Sequence, residues 1–421
     1  MTEFSKLGLA PKLLAAVEAA GYTAPTPIQL KAIPPVLEGR DVMGLAQTGT
    51  GKTAAFGLPL IHQLLHKHDK RQPKTARALV LAPTRELVNQ IADNLLLYVK
   101  GTHMKVTTVV GGVSINRQAM ALSKGTDILV ATPGRLIDLM DRGAVRLDAA
   151  TFLVLDEADH MLDMGFIHAL RRIAPKLGHP RQTMLFSATM PKQMEEIAGA
   201  YLHNPVRVQV AAPGKAADKI TQGVHWAADK SDKTRLLKSY LDDAPEGLAL
   251  VFARTKHGAE RLMKHLVAEG YGAVSIHGNK SQGQRERALK AFRDGTARIL
   301  VATDVAARGI DIPGVSHVYN YDLPEVAENY VHRIGRTARA GADGDAIAFV
   351  TGEEIGLLRQ VEKVMKLEIP VLGGERPVEV APAKKSRGGG GRGGGVRQMH
   401  PKPQGQGQGQ KRRRPRRRRA A

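Results

Sequence analysis

The sequence contains no cysteine and no long apolar stretch, and each absence narrows the possible functions. Without cysteine, the chain forms no disulfide and offers no thiolate metal ligand, which is compatible with a reducing cytoplasm. No apolar run approaches the roughly 18 residues that span a bilayer. The N-terminal MTEFSKLGL lacks a basic region followed by an apolar core, so we expect no signal peptide. A cytoplasmic protein without membrane contact is therefore expected.

Acidic residues are scarce relative to basic ones. The 421 residues include 62 Lys and Arg but 40 Asp and Glu, which gives a net charge of +22. Residues 371–421 carry +13 of this charge, in segments such as RGGGGRGGG and KRRRPRRRR. With almost no apolar residues to bury, this segment is predicted to be a disordered, basic, Gly/Arg-rich tail. Such an excess of positive charge indicates a nucleic-acid partner. The alternative is that the charge serves only to keep the protein soluble.

The chain is longer than one ordinary domain. Short apolar runs alternate with segments of helical periodicity in both halves. This alternation predicts an α/β fold with two parallel-sheet domains, at 1–207 and 220–370. The intervening stretch VQVAAPGKAADK, at 208–219, is small and polar and contains proline and glycine. It is therefore predicted to be a linker.

The stretch AQTGTGKT at 46–53 follows one apolar run and precedes a helical segment. A strand, a glycine turn and a helix N-terminus in this order are typical of a phosphate-binding loop. Gly49 and Gly51 allow successive N–H groups to face a polyphosphate, Lys52 would reach the β- and γ-phosphates, and Thr53 would bind Mg²⁺. Ala46 replaces the usual first glycine. The alternative is an ordinary glycine turn followed by Lys-Thr.

A second apolar run, TFLVL at 151–155, ends in the acidic tetrapeptide DEAD. A carboxylate at a strand end opposite a phosphate loop is suited to holding Mg²⁺, the role predicted for Asp156. Glu157 is the candidate for polarising the attacking water. Asp159 is predicted to accept hydrogen bonds from Ser187 and Thr189, which end a later strand. A solvated acidic turn is the alternative.

Residues that could recognise a nucleotide base and a nucleic-acid backbone surround these motifs. The Gln29 amide has both a donor and an acceptor, which match the edge of adenine, and Phe4 could stack on the base. An ordinary exposed glutamine is the alternative. Three strand ends carry hydroxyls, glycines or arginines, in PTREL at 83–87, Gly-Gly at 111–112 and TPGR at 132–135. Their recurrence predicts a surface that grips a sugar-phosphate backbone.

The second half has no phosphate loop but contains HRIGRTAR at 332–339. Phosphoryl transfer needs positive charge on the γ-phosphate as charge spreads in the transition state. Arg336 and Arg339 could supply this charge. A surface or RNA-binding basic patch is an equal alternative from these residues alone, and a structural histidine is the favoured interpretation of His332.

In this order, these motifs resemble those of the DEAD-box ATP-dependent RNA helicases. The likeness extends from Phe4 to about Lys366 and includes VFARTK at 251–256 and ATDVAARGID at 302–311. The short N-terminus and basic tail resemble most the bacterial members of the RhlE type. Ala338 replaces a usual glycine of the family pattern, and Val88 a usual alanine. The added methyl group at 338 could crowd the approach of Arg339.

The resemblance implies two RecA-like domains, ATP and Mg²⁺ as cofactors, and single-stranded or short duplex RNA as partner. It assigns catalysis to Lys52, Glu157, Arg336 and Arg339. It assigns nucleotide binding to Phe4, Gln29, Thr48, Gly49, Thr50, Gly51, Lys52, Thr53, Asp156 and Asp311, with Thr53 and Asp156 on the metal. It assigns coupling to Asp159, Ser187, Thr189 and His332, and RNA contacts to Thr84, Arg85, Gly112, Thr132, Arg135 and Thr303.

The implied function is ATP-dependent RNA unwinding with little sequence preference, acting on short duplexes or on RNA–protein complexes. Because the phosphate loop and the arginines lie in different halves, hydrolysis requires domain closure, and ATP and RNA should bind cooperatively. An ATP-gated RNA clamp, an RNA-annealing chaperone and a DNA-directed motor are the alternatives. Ribosomal precursor particles and the RNA-decay machinery are partners that the family implies.

Overall fold

The computed structural model describes residues 3–46, 49–67, 70–190, 192–210, 220–307, 310, 312, 314–338 and 343–379. We call residues 3–210 the first lobe and residues 220–379 the second lobe. The elements of the first lobe are α1 Pro11–Ala19, α2 Pro27–Leu37, β1 Val42–Leu45, α3 Lys52–His66, β2 Ala76–Leu81, α4 Arg85–Tyr98, β3 Val106–Val109, α5 Ile115–Leu122, β4 Thr126–Ala131, α6 Pro133–Asp141, β5 Phe152–Leu155, α7 Ala158–Asp163, α8 Ile167–Ile173, β6 Gln182–Ser187, α9 Lys192–Tyr201 and β7 Val206–Gln209.

The second lobe repeats this alternation. Its elements are β8 Ile220–Trp226, α10 Lys230–Asp243, β9 Leu248–Phe252, α11 Lys256–Ala268, β10 Ala273–Ile276, α12 Gln282–Arg293, β11 Ile299–Ala302, α13 Asp304–Ala307, β12 Val315–Asn320, α14 Glu328–Ile334, β13 Gly344–Val350, α15 Ile355–Met365 and β14 Val371–Gly373. Short 3₁₀ turns lie at Glu3–Leu7, Ala174–Lys176 and Gly352–Glu354.

Each lobe is built on one seven-stranded parallel sheet. The strand orders are β3-β4-β2-β5-β6-β1-β7 and β10-β11-β9-β12-β13-β8-β14. Adding seven to each strand number of the first sheet reproduces the second, so the two lobes share one topology. Helices connect the parallel strands and cover both faces of each sheet, since two apolar clusters flank each one. The predicted α/β fold with two parallel sheets is confirmed.

The strands are nearly continuous buried apolar runs, such as ARALVL in β2 and FLVL in β5. This composition is typical of parallel strands that are covered on both faces. The helices that follow several strands begin at capping hydroxyls. Thr84 Oγ1 accepts from Leu87 N–H in α4, and Thr255 Oγ1 accepts from Gly258 N–H in α11. Because the strands of each sheet are parallel, their carboxyl ends lie at one edge of the sheet, where α/β folds bind ligands.

Two predicted boundaries differ from the structure. The linker was predicted from 208, but Val208 and Gln209 pair with β1 as part of β7. The tail was predicted from 371, but β14 pairs with the free edge of β8, and Arg359 forms an ion pair with Glu379. In both cases backbone pairing at a sheet edge outweighs a polar or glycine-rich composition. Residues 211–219 and 380–421 lie outside the described residues.

No helix of the described part of the chain is both long and apolar enough to cross a membrane.

Candidate active site

The phosphate loop leads from β1 into α3 with the backbone geometry that its glycines predict. Gly49 and Gly51 have φ values of +84° and +91°, in the left-handed region that glycine adopts without a Cβ clash. A Cβ on Gly51 would lie 2.5 Å from Gln29 Nε2. A side chain at position 51 would therefore strain the backbone and displace the Gln29 amide from the loop. Gln47 and Thr48 lie outside the described residues.

Both residues predicted to recognise adenine are buried, with Gln29 4% exposed, but Gln29 has polar partners and Phe4 an aromatic one. Gln29 Oε1 accepts from Thr26 N–H at 2.9 Å, and Nε2 donates to the Gly51 carbonyl at 3.1 Å. A primary amide has a further N–H and a further lone pair, which suit a base edge. Phe4 is 1% exposed and stacks on Tyr22. Because the first-lobe core covers its ring, the structure does not support the prediction that Phe4 stacks on a base.

Lys52 and Asp156 face each other from the start of α3 and the end of β5. Both are buried, and Lys52 Nζ lies 3.6 Å from Asp156 Oδ1. Burial raises the pKa of Asp156 to about 6, although the charge of Lys52 acts in the opposite direction. Within the described residues, Lys52 Nζ has no hydrogen-bond partner. A buried cation is therefore available to a phosphate anion.

The oxygens around Lys52 suit a magnesium ion that is bound together with phosphates. Thr53 follows Lys52 in the first turn of α3, which follows β1, and Asp156 directly follows β5. The two strands are separated only by β6, so both residues lie at the same edge of the sheet. Mg²⁺ usually binds one or two protein oxygens, substrate phosphates and several waters. The described residues contain no cluster of three His, Asp or Glu side chains that would bind a metal by themselves. This sparse donor set fits magnesium carried by a nucleotide.

Glu157 has a strained backbone and an ionised carboxylate. Its φ and ψ are +51° and +52°, a left-handed conformation that costs a residue with a side chain about 1–2 kcal/mol. Such strain is typical of functional sites. Burial favours the protonated carboxyl, but the hydrogen bond from His160 and the charges of Lys52 and Arg336 outweigh it and hold the pKa of Glu157 well below its ordinary value. Glu157 is therefore charged, as a group that orients water must be.

Asp159 connects the acidic motif to the end of β6. Its Oδ2 accepts from Ala188 N–H at 3.1 Å, from Thr189 N–H at 2.9 Å and from Thr189 Oγ1 at 2.9 Å. The predicted hydrogen bond from Thr189 is confirmed. The one from Ser187 is wrong, because Ser187 Oγ donates to the Thr189 carbonyl at 2.7 Å instead. Ser187 thus shapes the turn that presents Thr189 to Asp159.

A cavity of about 460 Å³ lies between these residues and the second lobe. The first lobe contributes Lys52, Glu157, Asp159, His160 and Thr189, and the second contributes Asn329, His332 and Arg336. Residues predicted from distant parts of the chain therefore line one space. His160 and Asn329 were not predicted, although His160 follows Glu157 by three positions, a spacing that brings side chains together on a helix.

Hydrogen bonds within the second lobe hold Arg336 at the cavity. Arg336 is buried, and its Nη1 donates to the Ile310 carbonyl at 2.8 Å while Nε donates to the His332 carbonyl at 3.1 Å. Two residues later, Ala338 has a φ of +54°. This left-handed conformation explains why glycine is favoured at that position. Arg339 and Asp311, the other predicted nucleotide contacts of this lobe, lie outside the described residues.

A cluster of arginines follows the neighbouring strand ends. The Arg85 guanidinium lies so close to Gly112 that a Cβ there would approach Nη1 to 1.9 Å. Arg135 Nη1 donates to the Val110 and Val113 carbonyls at 3.1 and 2.8 Å. The pKa of Arg85 is lowered, first by burial and then by effects that include the charges of Arg285 and Arg135. Convergent guanidinium groups of this kind suit a phosphate backbone.

The threonines predicted to contact RNA are less accessible. Thr84 and Thr132 are 6% and 7% exposed, and the Thr84 hydroxyl caps α4. The Thr303 carbonyl accepts from the N–H groups of Ala306 and Ala307, at 2.9 Å each, at the start of α13. RNA contacts by these three residues stay a prediction.

The two lobes meet at the arginine cluster, through contacts that the sequence did not predict. Arg285 Nε of α12 lies 3.0 Å from Glu86 Oε1 of α4 in an ion pair. Arg85 Nη1 donates to Gln282 Oε1 at 3.4 Å. Since Arg85 and Glu86 are adjacent in PTREL, one strand end of the first lobe both belongs to the predicted RNA surface and contacts the second lobe.

Known families and proteins share this architecture. Residues 26–197 match the model of the DEAD/DEAH box helicases, and residues 232–341 match that of the helicase conserved C-terminal domain. An ATP-dependent RNA helicase CshA of Listeria monocytogenes is 47% identical over 367 residues, which cover 87% of this chain and 69% of that protein. The DEAD-box ATP-dependent RNA helicase CshA of Geobacillus kaustophilus is 46% identical over 367 residues, covering 87% and 77%.

Solved structures agree. Dbp5 of S. cerevisiae bound to RNA and ADP BeF3 has a TM-score of 0.78 and 32% identity, covering 90% of this chain and 96% of that one. Mss116p bound to ssRNA and AMP-PNP has a TM-score of 0.80 and 28% identity, covering 90% and 79%. The RhlE-type subgroup stays a prediction, since the relatives named above are of the CshA type. The chain belongs to the DEAD-box family of ATP-dependent RNA helicases.

Proposed function

We propose that the chain hydrolyses ATP in the cavity between its lobes and couples this reaction to local unwinding of short RNA duplexes or to remodelling of RNA–protein complexes. The observation that carries the proposal is the composition of the cavity wall. Lys52 and Glu157 come from the first lobe, and Arg336 comes from the second. Hydrolysis therefore needs the lobes to be together, and a ligand that holds them together accelerates it.

Each side chain has a role that follows from its position. Lys52 and the N–H groups of the glycine loop bind the β- and γ-phosphates. The Glu157 carboxylate accepts a hydrogen bond from the attacking water and directs its lone pair at the γ-phosphorus. Arg336, with Arg339, balances the negative charge that develops on the phosphoryl oxygens. Thr53 and Asp156 hold Mg²⁺, which when bound neutralises phosphate charge.

RNA lies along the arginine cluster of Arg85, Arg135 and Arg285, with Gly112 allowing close approach of the sugar-phosphate backbone. Contacts of this type read shape and charge and give little sequence preference. Because Arg85 and Glu86 also contact α12, bound RNA favours the same closed arrangement that ATP requires. The hydrogen bonds between Asp159 and Thr189 couple the acidic motif to the end of β6, so that hydrolysis changes both together. The lobes then separate and release RNA.

The substitution Glu157→Gln tests the catalytic assignment. It keeps the size of the side chain and removes the charge that orients water. We expect hydrolysis to fall by about 10²–10⁴-fold, while ATP and RNA remain bound together. The measurements are single-turnover hydrolysis of radiolabelled ATP and fluorescence anisotropy of labelled single-stranded RNA with ATP. Wild-type turnover in this variant would contradict the role of Glu157.

An RNA-annealing activity is a second candidate, favoured by the composition of residues 380–421. These residues contain fourteen Lys and Arg and no Asp or Glu. Neutralising phosphates helps two strands to meet, and the attraction weakens with salt. Removing residues 380–421 should slow strand annealing and reduce the salt dependence of RNA affinity, with ATP turnover per bound RNA retained. An unchanged salt slope would exclude this role.

Domain organisation, subgroup and cellular setting are proposed as well. We propose that the lobes act as separate domains joined by residues 211–219, and that the protein works in the cytoplasm. We propose the RhlE-type subgroup from the basic tail. Ribosomal precursor particles and the RNA-decay machinery are the proposed settings. Co-sedimentation of the full-length protein with ribosomal particles, with and without nuclease treatment, separates these two settings.

A further inference from the structure

His160 is a buried imidazole at the cavity for which the proposed chemistry gives no role. It lies in the first turns of α7 and is 5% exposed. Its Nδ1 is 3.4 Å from Glu157 Oε2, and its side chain contributes to the cavity wall. It therefore contacts the carboxylate that is proposed to orient the attacking water.

The neighbouring carboxylate determines which ring nitrogen carries the proton. An ionised Glu157 can accept but not donate, so the contact requires a proton on His160 Nδ1. The other ring nitrogen, Nε2, is buried and has no hydrogen-bond partner within the described part of the chain. An unpaired buried nitrogen costs free energy that an apolar side chain of similar size would avoid. What the histidine adds at this position is thus its contact with Glu157.

The contact with His160 restricts Glu157, a residue whose backbone conformation is strained. Glu157 is in the left-handed region and directly precedes α7. Its side chain has three rotatable bonds, so a strained backbone alone does not fix the carboxylate. Such conformations persist where the surroundings restrict them. The His160 ring, held in α7 by burial, gives Glu157 Oε2 a fixed donor.

We propose that His160 is a positioning residue that holds the Glu157 carboxylate in the orientation required for the attacking water. This inference rests on the proposed role of Glu157. It concerns the rate of the chemical step and not the binding of ATP or RNA, because His160 contacts the carboxylate of Glu157 rather than the phosphate loop or the arginine cluster.

The test compares His160→Leu with His160→Asn in the full-length protein. The Asn amide can place an N–H near the position of Nδ1, whereas Leu retains bulk without a donor. In His160→Leu we expect kcat for RNA-stimulated ATP hydrolysis to fall about 10–100-fold, as for a small misplacement of a reacting group. The KM for ATP and the affinity for single-stranded RNA with a non-hydrolysable ATP analogue should not change. His160→Asn should recover most of the lost kcat.

Two outcomes would overturn the proposal. One is wild-type kcat in His160→Leu. The other is a fall in kcat accompanied by matching losses of ATP affinity and thermal stability, with no recovery in His160→Asn, which would indicate a purely structural residue.

A double-mutant cycle with Glu157→Gln distinguishes this inference from the proposed function. If His160 acts through Glu157, His160→Leu should cause no further loss in the Glu157→Gln background. Independent, additive losses would refute the positioning role while leaving the role of Glu157 intact. Wild-type turnover in Glu157→Gln alone would remove the proposed function, and the inference with it.

Discussion

The two lobes share one sheet topology but differ at the carboxyl edge of the sheet. In the first lobe, six residues (46–51) connect β1 to α3 and form the phosphate loop. In the second, three residues (227–229) connect β8 to α10, and Asp229 caps that helix by accepting from Asp232 N–H at 2.9 Å. A carboxylate thus occupies the helix N-terminus where a phosphate would bind.

The charged residues of the two edges correspond as well. Lys233 Nζ lies 3.6 Å from Asp322 Oδ1, the same separation as between Lys52 and Asp156 in the first lobe. Asp322 lies two residues after the end of β12, and Asp156 lies directly after β5, the corresponding strand. In the second lobe, however, the lysine also contacts the buried carboxylate of Glu354. The lysine that stays available to a ligand in the first lobe is therefore paired with an internal carboxylate in the second.

Glu354 is held as a bound anion would be. Its oxygens accept from Arg254 Nη2 at 2.9 Å, from Leu323 N–H at 3.2 Å and from Thr351 N–H and Oγ1 at 3.2 and 3.1 Å. Lysine, arginine, backbone N–H and hydroxyl groups are the donors that phosphate sites use. The same topology thus presents a lysine available to a ligand in the first lobe and an internally paired lysine in the second. From this difference we predict opposite phenotypes for substitution of the two lysines.

The largest effect is expected at the first lysine. Replacing Lys52 with Met removes the cation that the phosphates require, so ATP turnover should fall by about 10²–10³-fold. The free energy of unfolding should change less than in the corresponding Lys233→Met variant, because Lys52 has no hydrogen-bond partner to lose within the described residues. Turnover assays and urea unfolding of both variants test this contrast. Equal losses of unfolding free energy in the two variants would contradict the predicted difference between the lobes.

The largest loss of folding stability is expected when Glu354 is replaced. Glu354→Ala leaves Lys233 and Arg254 partly unpaired, and removing one partner of a buried ion pair costs about 3–5 kcal/mol. Inorganic phosphate should recover part of this loss by binding the freed donors, which thermal unfolding at increasing phosphate concentration would detect. Exposed Glu353→Ala is the matched control. Equal responses to phosphate in both variants would show that Glu354 does not substitute for an anion.

An intermediate effect is expected where the lobes meet. Arg285→Met removes the ion pair with Glu86 and should reduce the coupling free energy between ATP and RNA binding by about 1–3 kcal/mol. The affinity for ATP alone should stay unchanged. RNA affinity measured with and without a non-hydrolysable ATP analogue gives the coupling, and Arg287→Met, an exposed arginine of the same helix, is the control. Unaltered coupling would show that this contact does not stabilise closure.

The smallest effect concerns Ala338. Its φ of +54° is strained for alanine, so Ala338→Gly should relieve about 1 kcal/mol of strain, against which the greater freedom of glycine in the unfolded chain must be set. We expect a small change in unfolding free energy and RNA-stimulated turnover equal to or above that of the wild type. A several-fold loss of turnover would show that the alanine methyl, which packs on the second-lobe core, supports the active arrangement.

The sequence predicted those features whose chemistry is local. The phosphate loop, the acidic motif and the strands are contiguous segments in which residue type and spacing carry the information. The bond from Thr189 to Asp159 was also predictable, because the carboxyl ends of neighbouring parallel strands meet at one edge. The prediction for Phe4 rested on a lone aromatic near a turn, which can pack into a core as readily as it can face a ligand, and the structure buries its ring.

Features that depend on tertiary contacts were not predictable from the sequence. The pairing of β14 with β8 joins segments more than 140 residues apart, and the pairing of Glu86 with Arg285 joins the two lobes. No local pattern marks Glu354 as the partner of Lys233, because their proximity follows from strand order. Knowledge of the shared topology would have indicated that correspondence, and it is the comparison of the lobes that reveals it.

The most direct test of the account is ATP turnover by the full-length protein without nucleic acid, with single-stranded RNA, and with single-stranded DNA of the same sequence. The central claim is that RNA brings Arg336 to the phosphate loop and Glu157. It predicts strong stimulation by RNA and little by DNA, with stimulation reduced in Arg285→Met. Turnover that is equally high without nucleic acid would contradict closure by RNA, and equal stimulation by DNA would favour a DNA-directed motor.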